Sequence, residues 1–250
     1  MAARAASVYS NSVDAAASAP IRRLMRSPDR PLLPVEKVCR VLEASYGSPR
    51  HGNKSNPLDE LVYIILSTRT GDRSVRTAYW GLKGVFPSWN RIGPEDVHVL
   101  TSILAPAGLG RLKARQIAAI MERLRTEFGR ATLAPLKSMT DEEAEAFLTT
   151  LPGVGRKVAK CVLMYSLGRE LLPVDTHVYR VARRLGFQVK KRADSSQDLL
   201  EAAVPRELRY GFHVNAVAHG RAVCVPRTPR CRVCCISSWC QYDAAKRKEN

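Results

Sequence analysis

Lys157 and Asp175 are the residues whose surroundings in the sequence best suit covalent chemistry. Lys157 opens an apolar run, 158–164, that reads as a buried helix. Partial desolvation, the positive end of that helix and nearby cations all lower the pKa of a lysine there and favour its nucleophilic amine. Asp175 begins Asp-Thr-His-Val, where a carboxylate can cap a helix and also accept a proton or stabilise positive charge at a sugar carbon. The alternatives are a solvated lysine and an aspartate that only caps.

The segment Leu-Pro-Gly-Val-Gly before Lys157 predicts a tight turn between two helices. Gly153 and Gly155 are expected to adopt dihedral angles forbidden to other residues, and with Val154 to present backbone N–H groups to a DNA phosphate. Arg156 and Lys160 follow in the first helical turn, where the helix dipole disfavours cations. A departure from the local rule indicates function, although an ordinary turn between helices remains the alternative reading.

A second candidate site is a cysteine cluster near the end of the chain. The sequence has seven cysteines, and four of them are spaced C-x6-C-x2-C-x5-C. Four thiolates so closely spaced suit a [4Fe–4S] cluster or zinc, and the expected ligands are Cys224, Cys231, Cys234 and Cys240. Cys235 is an adjacent competitor of Cys234. An odd, clustered count is a poor disulfide framework, so we expect a reducing compartment.

The charge of the chain indicates a polyanionic partner. The 250 residues carry a formal net charge of +17, with an isoelectric point near 10.0, and nucleic acid is the first partner to consider. No apolar stretch is long enough to span a bilayer, so no membrane association is expected. We expect a cytoplasmic, nucleoid-associated protein, or an organellar or nuclear one if the source is eukaryotic.

Helical periodicity dominates the sequence, and convincing strand alternation is absent. The fold class is therefore predicted to be all-α. Asp72 is expected to cap one helix and Thr140 or Asp141 another. Residues 1–33 read as a flexible basic tail, and 244–250 as a second tail. Helices are predicted over 34–46, from Pro57, after the Asp72 cap, over 94–104, from the glycine turn that begins at 108 to 128, and after the cap at Thr140 or Asp141. Further helices are predicted from Arg156, from Asp175, from Ser195 or Ser196 toward Val204, and over 210–223.

These motifs together resemble the endonuclease III branch of the helix–hairpin–helix (HhH-GPD) DNA glycosylases. The resemblance covers about residues 34–243 and rests on LPGVGRK, VDTH, GLGRLKARQI and the HGR segment before the cysteines. It implies that Lys157 and Asp175 are catalytic and that the four cysteines hold a [4Fe–4S] cluster. The implied DNA contacts are Arg69, Lys113, Gly153, Val154, Gly155, Arg156, Lys160 and His177.

The resemblance also implies a six-helix barrel domain at 55–170 and a helical cluster domain at 171–243, with a DNA cleft between them. Residues 34–54 would form an N-terminal helix and linker that pack on the cluster domain. The implied activity is that of a monomeric bifunctional DNA glycosylase and abasic-site lyase. Such an enzyme flips damaged, oxidised pyrimidines out of double-stranded DNA and forms a Schiff base through its lysine.

One departure from the family pattern leaves the substrate open. The usual segment resembles LLSAQATD, whereas this chain has ILSTRTGD and so carries Arg69 where the family has glutamine. Arg69 could enter the duplex and contact the orphaned base. A glycosylase for mispaired thymine or 5-methylcytosine therefore remains an alternative. A non-catalytic DNA-binding iron–sulfur protein is an alternative of another class.

Overall fold

The computed structural model describes residues 33–50, 53–68, 70–107 and 110–242, and its regular structure over these residues is helical. Short 3₁₀ turns, such as Pro94–Asp96 and Ala134–Ser138, join the longer helices. The helices are α1 Val35–Tyr46, α2 Pro57–Ser67, α3 Asp72–Val85, α4 Val97–Leu104, α5 Gly110–Phe128, α6 Asp141–Thr150, α7 Arg156–Leu167, α8 Thr176–Leu185, α9 Gln197–Ala203 and α10 Arg209–Ala222. The predicted all-α class is confirmed.

The chain divides into two compact units, one of residues 50–173 and one of residues 1–49 with 174–250. The first unit contains α2 to α7, and α2 lies at its centre. Asn56 caps α2 by accepting hydrogen bonds from the N–H groups of Leu58 and Asp59, and Pro57 occupies the first turn. Every residue of α2 from Leu61 to Leu66 is buried. This apolar helix forms the core around which the unit is built.

Helices α6 and α7 form the predicted helix–hairpin–helix. Thr140 and Glu143 close a capping box at the start of α6. Within the turn, Gly153 has φ +68°, a left-handed conformation that favours glycine. Gly155 instead has φ −95° and ψ 172°, an extended conformation open to most residues. The expectation that both glycines need special dihedral angles is therefore wrong for Gly155.

The second unit contains α1 and α8 to α10. Arginines on α8 fix the segment that follows α10, since Arg180 donates to the carbonyls of Gly220 and Cys224. A Cβ on Gly220 would lie 2.9 Å from the Cβ of His177. Glycine at this position of the HGR segment is what allows α8 and α10 to approach so closely.

Some sequence predictions are corrected or fall outside the described residues. The residue that caps α3 is Gly71, and Asp72 is the first helical residue, where its charge suits the helix dipole. Residues 94–104 are a 3₁₀ turn followed by α4, rather than one helix. Arg69 and the predicted tails, apart from Leu33, lie outside the described residues. No helix among the described residues is both long and apolar enough to cross a membrane.

Candidate functional site

Lys157 lies in the first turn of α7 and is half-buried. The cap of this helix is Gly155, which provides no capping side chain. The residues that follow are among the most buried of the unit, and Ala159, Val162 and Leu163 have no exposed surface. The helix therefore holds Lys157 at the rim of the core, with its backbone fixed by the packing behind it.

The cations on either side of Lys157 are held by one acid from α6. Glu145 accepts a hydrogen bond from Arg156 Nε at 2.7 Å through one oxygen and pairs with Lys160 Nζ at 2.9 Å through the other. The Lys160 side chain is only 4% exposed. The negative charge of Glu145 near the start of α7 offsets the unfavourable effect of the helix dipole on cations there. It explains how Arg156 and Lys160 are tolerated at this helix start.

A buried carboxyl group lies within electrostatic range of Lys157. Glu60 of α2 has no exposed surface. Its Oε2 accepts a hydrogen bond from the Lys54 backbone N–H at 2.6 Å, whereas its Oε1 has no hydrogen-bond partner among the described residues. Burial raises the pKa of Glu60 to about 7, against the opposing effects of Lys54 and Lys157.

Asp175 is the N-cap of α8 and belongs to the other unit. Its Oδ1 accepts from the N–H groups of His177 and Val178 at 2.9 and 2.8 Å. The His177 ring is partly buried, and Arg180 donates to its Nδ1 at 3.0 Å. Burial lowers the pKa of His177; the charge of Asp175 opposes this effect, and that of Arg180 adds to it. The carboxylate is thus fixed by the helix start, and the histidine two residues later is neutral at pH 7.

Lys113 of α5 fixes the loop that follows α2. Its ammonium donates to the carbonyls of Leu66 and Thr68 and to the hydroxyl of Thr70 at 2.5–3.0 Å. The residue is 4% exposed, and burial lowers its pKa. The last carbonyls of α2 have no donor within the helix, and this ammonium provides one. The contacts of Lys113 are therefore with the end of α2 and with the loop that contains position 69.

Replacing Lys113 by methionine should lower the free energy of unfolding by about 2 kcal/mol, because two buried carbonyls would lose their donor. Urea unfolding measures this change. Lys113→Arg, which keeps donors at the same place, should lose less. If Lys113→Met unfolded at the wild-type urea concentration and bound DNA more weakly, the prediction that Lys113 contacts DNA would instead be supported.

Four cysteines of the second unit line one cavity. The thiols are those of Cys224, Cys231, Cys234 and Cys240, whereas Cys235 is absent from the lining and exposed. Within the described residues, no three His, Cys, Asp or Glu side chains are close enough together to hold a single metal ion. The cavity and its thiol donors suit a larger, thiolate-held group.

Charged and polar donors face the sulfur atoms of this cavity. Arg184 donates to Cys224 Sγ at 3.1 Å and to the carbonyls of Val225 and Pro226. Its guanidinium also stacks on Tyr242, 4.4 Å from the ring centre. Such a donor stabilises thiolate over thiol, as metal ligation requires. Arg184 therefore connects α8 to the cysteine segment in two ways, through backbone carbonyls of that segment and through the sulfur of Cys224.

His219 lies behind Cys234 and is completely buried. Burial lowers its pKa to about 4, so the ring is neutral at pH 7. Its Nε2 is 3.5 Å from Cys234 Sγ, and its Nδ1 is 2.8 Å from Tyr46 Oη. A thiolate at Cys234 would accept a hydrogen bond from Nε2–H, and Tyr46 would then donate to Nδ1. The N-terminal helix α1 thus supports the cysteine cavity through one histidine.

A family comparison agrees with this arrangement. The model of the HhH-GPD superfamily base excision DNA repair proteins matches residues 62–206, which include the hairpin, Lys157 and Asp175. The chain belongs to this superfamily. Among curated relatives, endonuclease III of Escherichia coli K12 is 31% identical over 210 residues, spanning 83% of this chain and 94% of that protein. This HhH-GPD protein is therefore an endonuclease III-like DNA glycosylase and abasic-site lyase.

Other relatives and solved structures extend the comparison. A putative DNA glycosylase of Arabidopsis thaliana is 35% identical over 166 residues, which cover 66% of this chain and 56% of that protein. The structure of a trapped endonuclease III–DNA covalent intermediate superposes with a TM-score of 0.74 at 24% identity, over 85% of this chain and 97% of that one. A thermostable thymine-DNA glycosylase gives 0.71 at 20% identity, over 84% and 96%. These structures share the HhH-GPD fold.

Three of the predicted DNA contacts are not supported by the geometry of this HhH-GPD protein. Lys160 and Lys113 are buried and engaged with Glu145 and with the 66–70 loop. The Val154 side chain is buried in the core, and its N–H donates to the Leu151 carbonyl. Exposed Gly153, Gly155 and Arg156 stay predictions as phosphate contacts, as does the partly buried His177.

Sequence reasoning missed the residues that support the site. Glu60 and Glu145 act in the surroundings of Lys157, and Arg184 and His219 in those of the cysteines. Glu60 could have been noticed as an acid inside the otherwise apolar stretch of α2. Arg180 and Arg184 are one helical turn apart, which places them on the same face of α8. The contacts of Arg184 with Cys224 and of His219 with Tyr46 join residues far apart in the chain, so those roles could not be read locally.

Proposed function

We propose that this glycosylase removes oxidised pyrimidines from double-stranded DNA as a monomer and cuts the backbone through a Schiff base on Lys157. The observation that carries the proposal is a half-buried lysine at the start of a buried helix, which in the sequence directly follows a glycine hairpin and precedes Asp175 within the family-matched segment. Endonuclease III relatives at about 30% identity support this chemistry. The exposed hairpin supports phosphate binding without sequence readout.

The proposed reaction follows from the two side chains. The Lys157 amine attacks C1′ of a flipped nucleotide, and the bond from C1′ to the base breaks with its electron pair leaving on the base. The proton that the amine loses passes to an acceptor, for which Asp175 is the candidate, and its carboxylate also stabilises positive charge at C1′. Ring opening gives an imine, and loss of a C2′ proton with cleavage of the C3′–O bond cuts the strand.

A panel of duplexes tests this function. Each duplex carries one modified or mispaired pyrimidine, and base release, strand cleavage and borohydride trapping are measured. Fast excision of oxidised pyrimidines is expected. Excision confined to thymine opposite guanine, or to 5-methylcytosine, would favour the alternative that Arg69 leaves open. Binding without base release or cleavage would support a non-catalytic iron–sulfur protein instead.

The four cysteines that line the cavity fit a [4Fe–4S] cluster, with Cys234 favoured over the exposed Cys235 as third ligand. Burial raises the pKa of the Cys234 thiol to about 11, so a thiolate there requires a compensating positive charge of the kind that iron supplies. When bound, such a cluster would cross-link the chain and support DNA binding without chemistry on the base. The donors Arg184 and His219 would stabilise its sulfur ligands.

Cys231→Ser should lose iron, unfold at lower temperature and bind DNA more weakly, because metal binding contributes directly to the folding of small cysteine-rich segments. Iron content, the absorbance near ~410 nm expected of thiolate-bound iron, thermal unfolding and DNA affinity measure these effects. Cys235→Ser is the matched control and should change none of them. A stable Cys231→Ser protein that keeps its iron and its affinity would contradict the ligand assignment.

A further inference from the structure

Glu60 is a buried acid that the proposed reaction does not use. It lies on α2, which packs against the helix that carries Lys157. The carboxyl group has no exposed surface, and in the part of the chain that the structure describes one of its oxygens has no hydrogen-bond partner. An isolated buried carboxylate is costly, so a residue that only filled the core would be apolar. The position therefore requires another reason for an acid.

The charged and titratable groups around Glu60 come from the linker before α2 and from α2, α3 and α7. Lys54 of the preceding linker and Lys157 of α7 favour its ionised form. In the opposite direction, the charge of Glu60 contributes to raising the pKa of Tyr63 on α2 and of Tyr79 on α3. The Lys54 ammonium already lies over the rings of Tyr63 and Tyr79, at 4.6 and 4.9 Å from their centres. Of these neighbours of Glu60, Lys157 is the one whose charge must change in the proposed chemistry.

We propose that Glu60 is a positioning residue whose charge sets the pH range in which Lys157 is a free amine. The inference rests on the proposed role of Lys157 as nucleophile. Because Glu60 is fully buried on a helix that packs against α7, its charge acts on Lys157 with little screening by solvent. When Glu60 is ionised it holds Lys157 as the ammonium. When Glu60 is neutral this stabilisation is absent, and Lys157 loses its proton at a lower pH.

The pKa of Glu60, raised by burial to about 7, fixes the form of the pH dependence. Below this pH the acid is already neutral, so replacing it by glutamine changes little at Lys157. Above this pH the carboxylate stabilises the ammonium, and glutamine removes that stabilisation. An opposite charge nearby shifts a lysine by about one pH unit or more. The two proteins should therefore differ only on the alkaline side of neutrality.

The test compares the wild type with Glu60→Gln in single-turnover borohydride trapping on DNA that already contains an abasic site. Such DNA requires no base release, so the rate reports on the amine. The rates should agree below about pH 6, and Glu60→Gln should be faster by up to about tenfold at pH 8. The ratio of rates cancels the pH dependence of the DNA itself. Asp59→Asn is the matched control, since Asp59 binds Trp89 and Lys83, and its ratio should stay constant.

Thermal unfolding gives an independent readout of the same ionisation. The pKa of Glu60 is higher in the folded chain than in the unfolded one, so its stabilising contribution is complete at low pH and is lost as the pH rises through about 7. Glu60→Gln should therefore raise Tm by a few degrees at pH 8 and have little effect near pH 4. A Tm difference that does not change with pH would contradict a buried ionisation.

The outcomes separate this inference from the proposed function. A wild type that traps no abasic DNA at any pH would overturn the role of Lys157 as nucleophile. A wild type that traps, together with a rate ratio for Glu60→Gln that is the same from pH 6 to pH 8, would overturn the role of Glu60 alone. A uniform loss of rate and stability would mean that Glu60 only supports the fold.

Discussion

Lys157→Ala should abolish borohydride trapping of abasic DNA and reduce strand cleavage by at least about 1,000-fold, because removing a nucleophile removes the covalent path itself. The substitution lies at a half-buried position in the first turn of α7, so the fold should tolerate it. DNA affinity, measured by fluorescence anisotropy on an uncleavable duplex, should fall only severalfold. The loss would then belong to the chemistry rather than to binding.

Lys160→Gln is the matched control for this variant. Lys160 lies on the same helix, but its ammonium is buried against Glu145. Its replacement should lower stability, since Glu145 would lose one of its two partners, yet it should leave covalent trapping intact. If trapping were lost in Lys160→Gln and retained in Lys157→Ala, the nucleophile would be Lys160 and the assignment to Lys157 would be wrong.

The glycine turn and the helix starts at Lys157 and Asp175 could be predicted from the sequence because their signals are local. A glycine turn, a lysine at a helix start and an aspartate at the next helix start each follow from neighbouring residues, and the cysteine spacing is contiguous. The helices themselves follow from apolar periodicity and from the cap at Thr140. These features require no knowledge of residues that are distant in the sequence.

The supporting residues could not be predicted because they depend on distant partners. A lysine is assumed to be exposed unless its partner is known, and the partners of Lys160 and Lys113 lie on α6 and on the loop after α2. Lys160 and Lys113, which the sequence predicts as DNA contacts, therefore bind other parts of the chain. Gly155 shows the converse, since a glycine in a functional turn need not use its conformational freedom.

Asp175 combines a structural and a chemical role, and one pair of substitutions separates them. Its Oδ1 caps α8 through the N–H groups of His177 and Val178. Asparagine caps about as well as aspartate, whereas alanine loses the cap at a cost of about 1 kcal/mol. Asp175→Asn should therefore unfold at the wild-type temperature, and Asp175→Ala at a lower one.

The rate of base excision should respond differently from Tm. Both substitutions remove the carboxylate that accepts the proton and stabilises positive charge at C1′, so both should slow excision of an oxidised pyrimidine by at least about 100-fold. Single-turnover base release with enzyme in excess measures this step. If Asp175→Asn were as stable as the wild type and excised at the same rate, the aspartate would be a cap and nothing more. A slow but stable Asp175→Asn protein would show that its charge, rather than its hydrogen bonds to α8, serves the reaction.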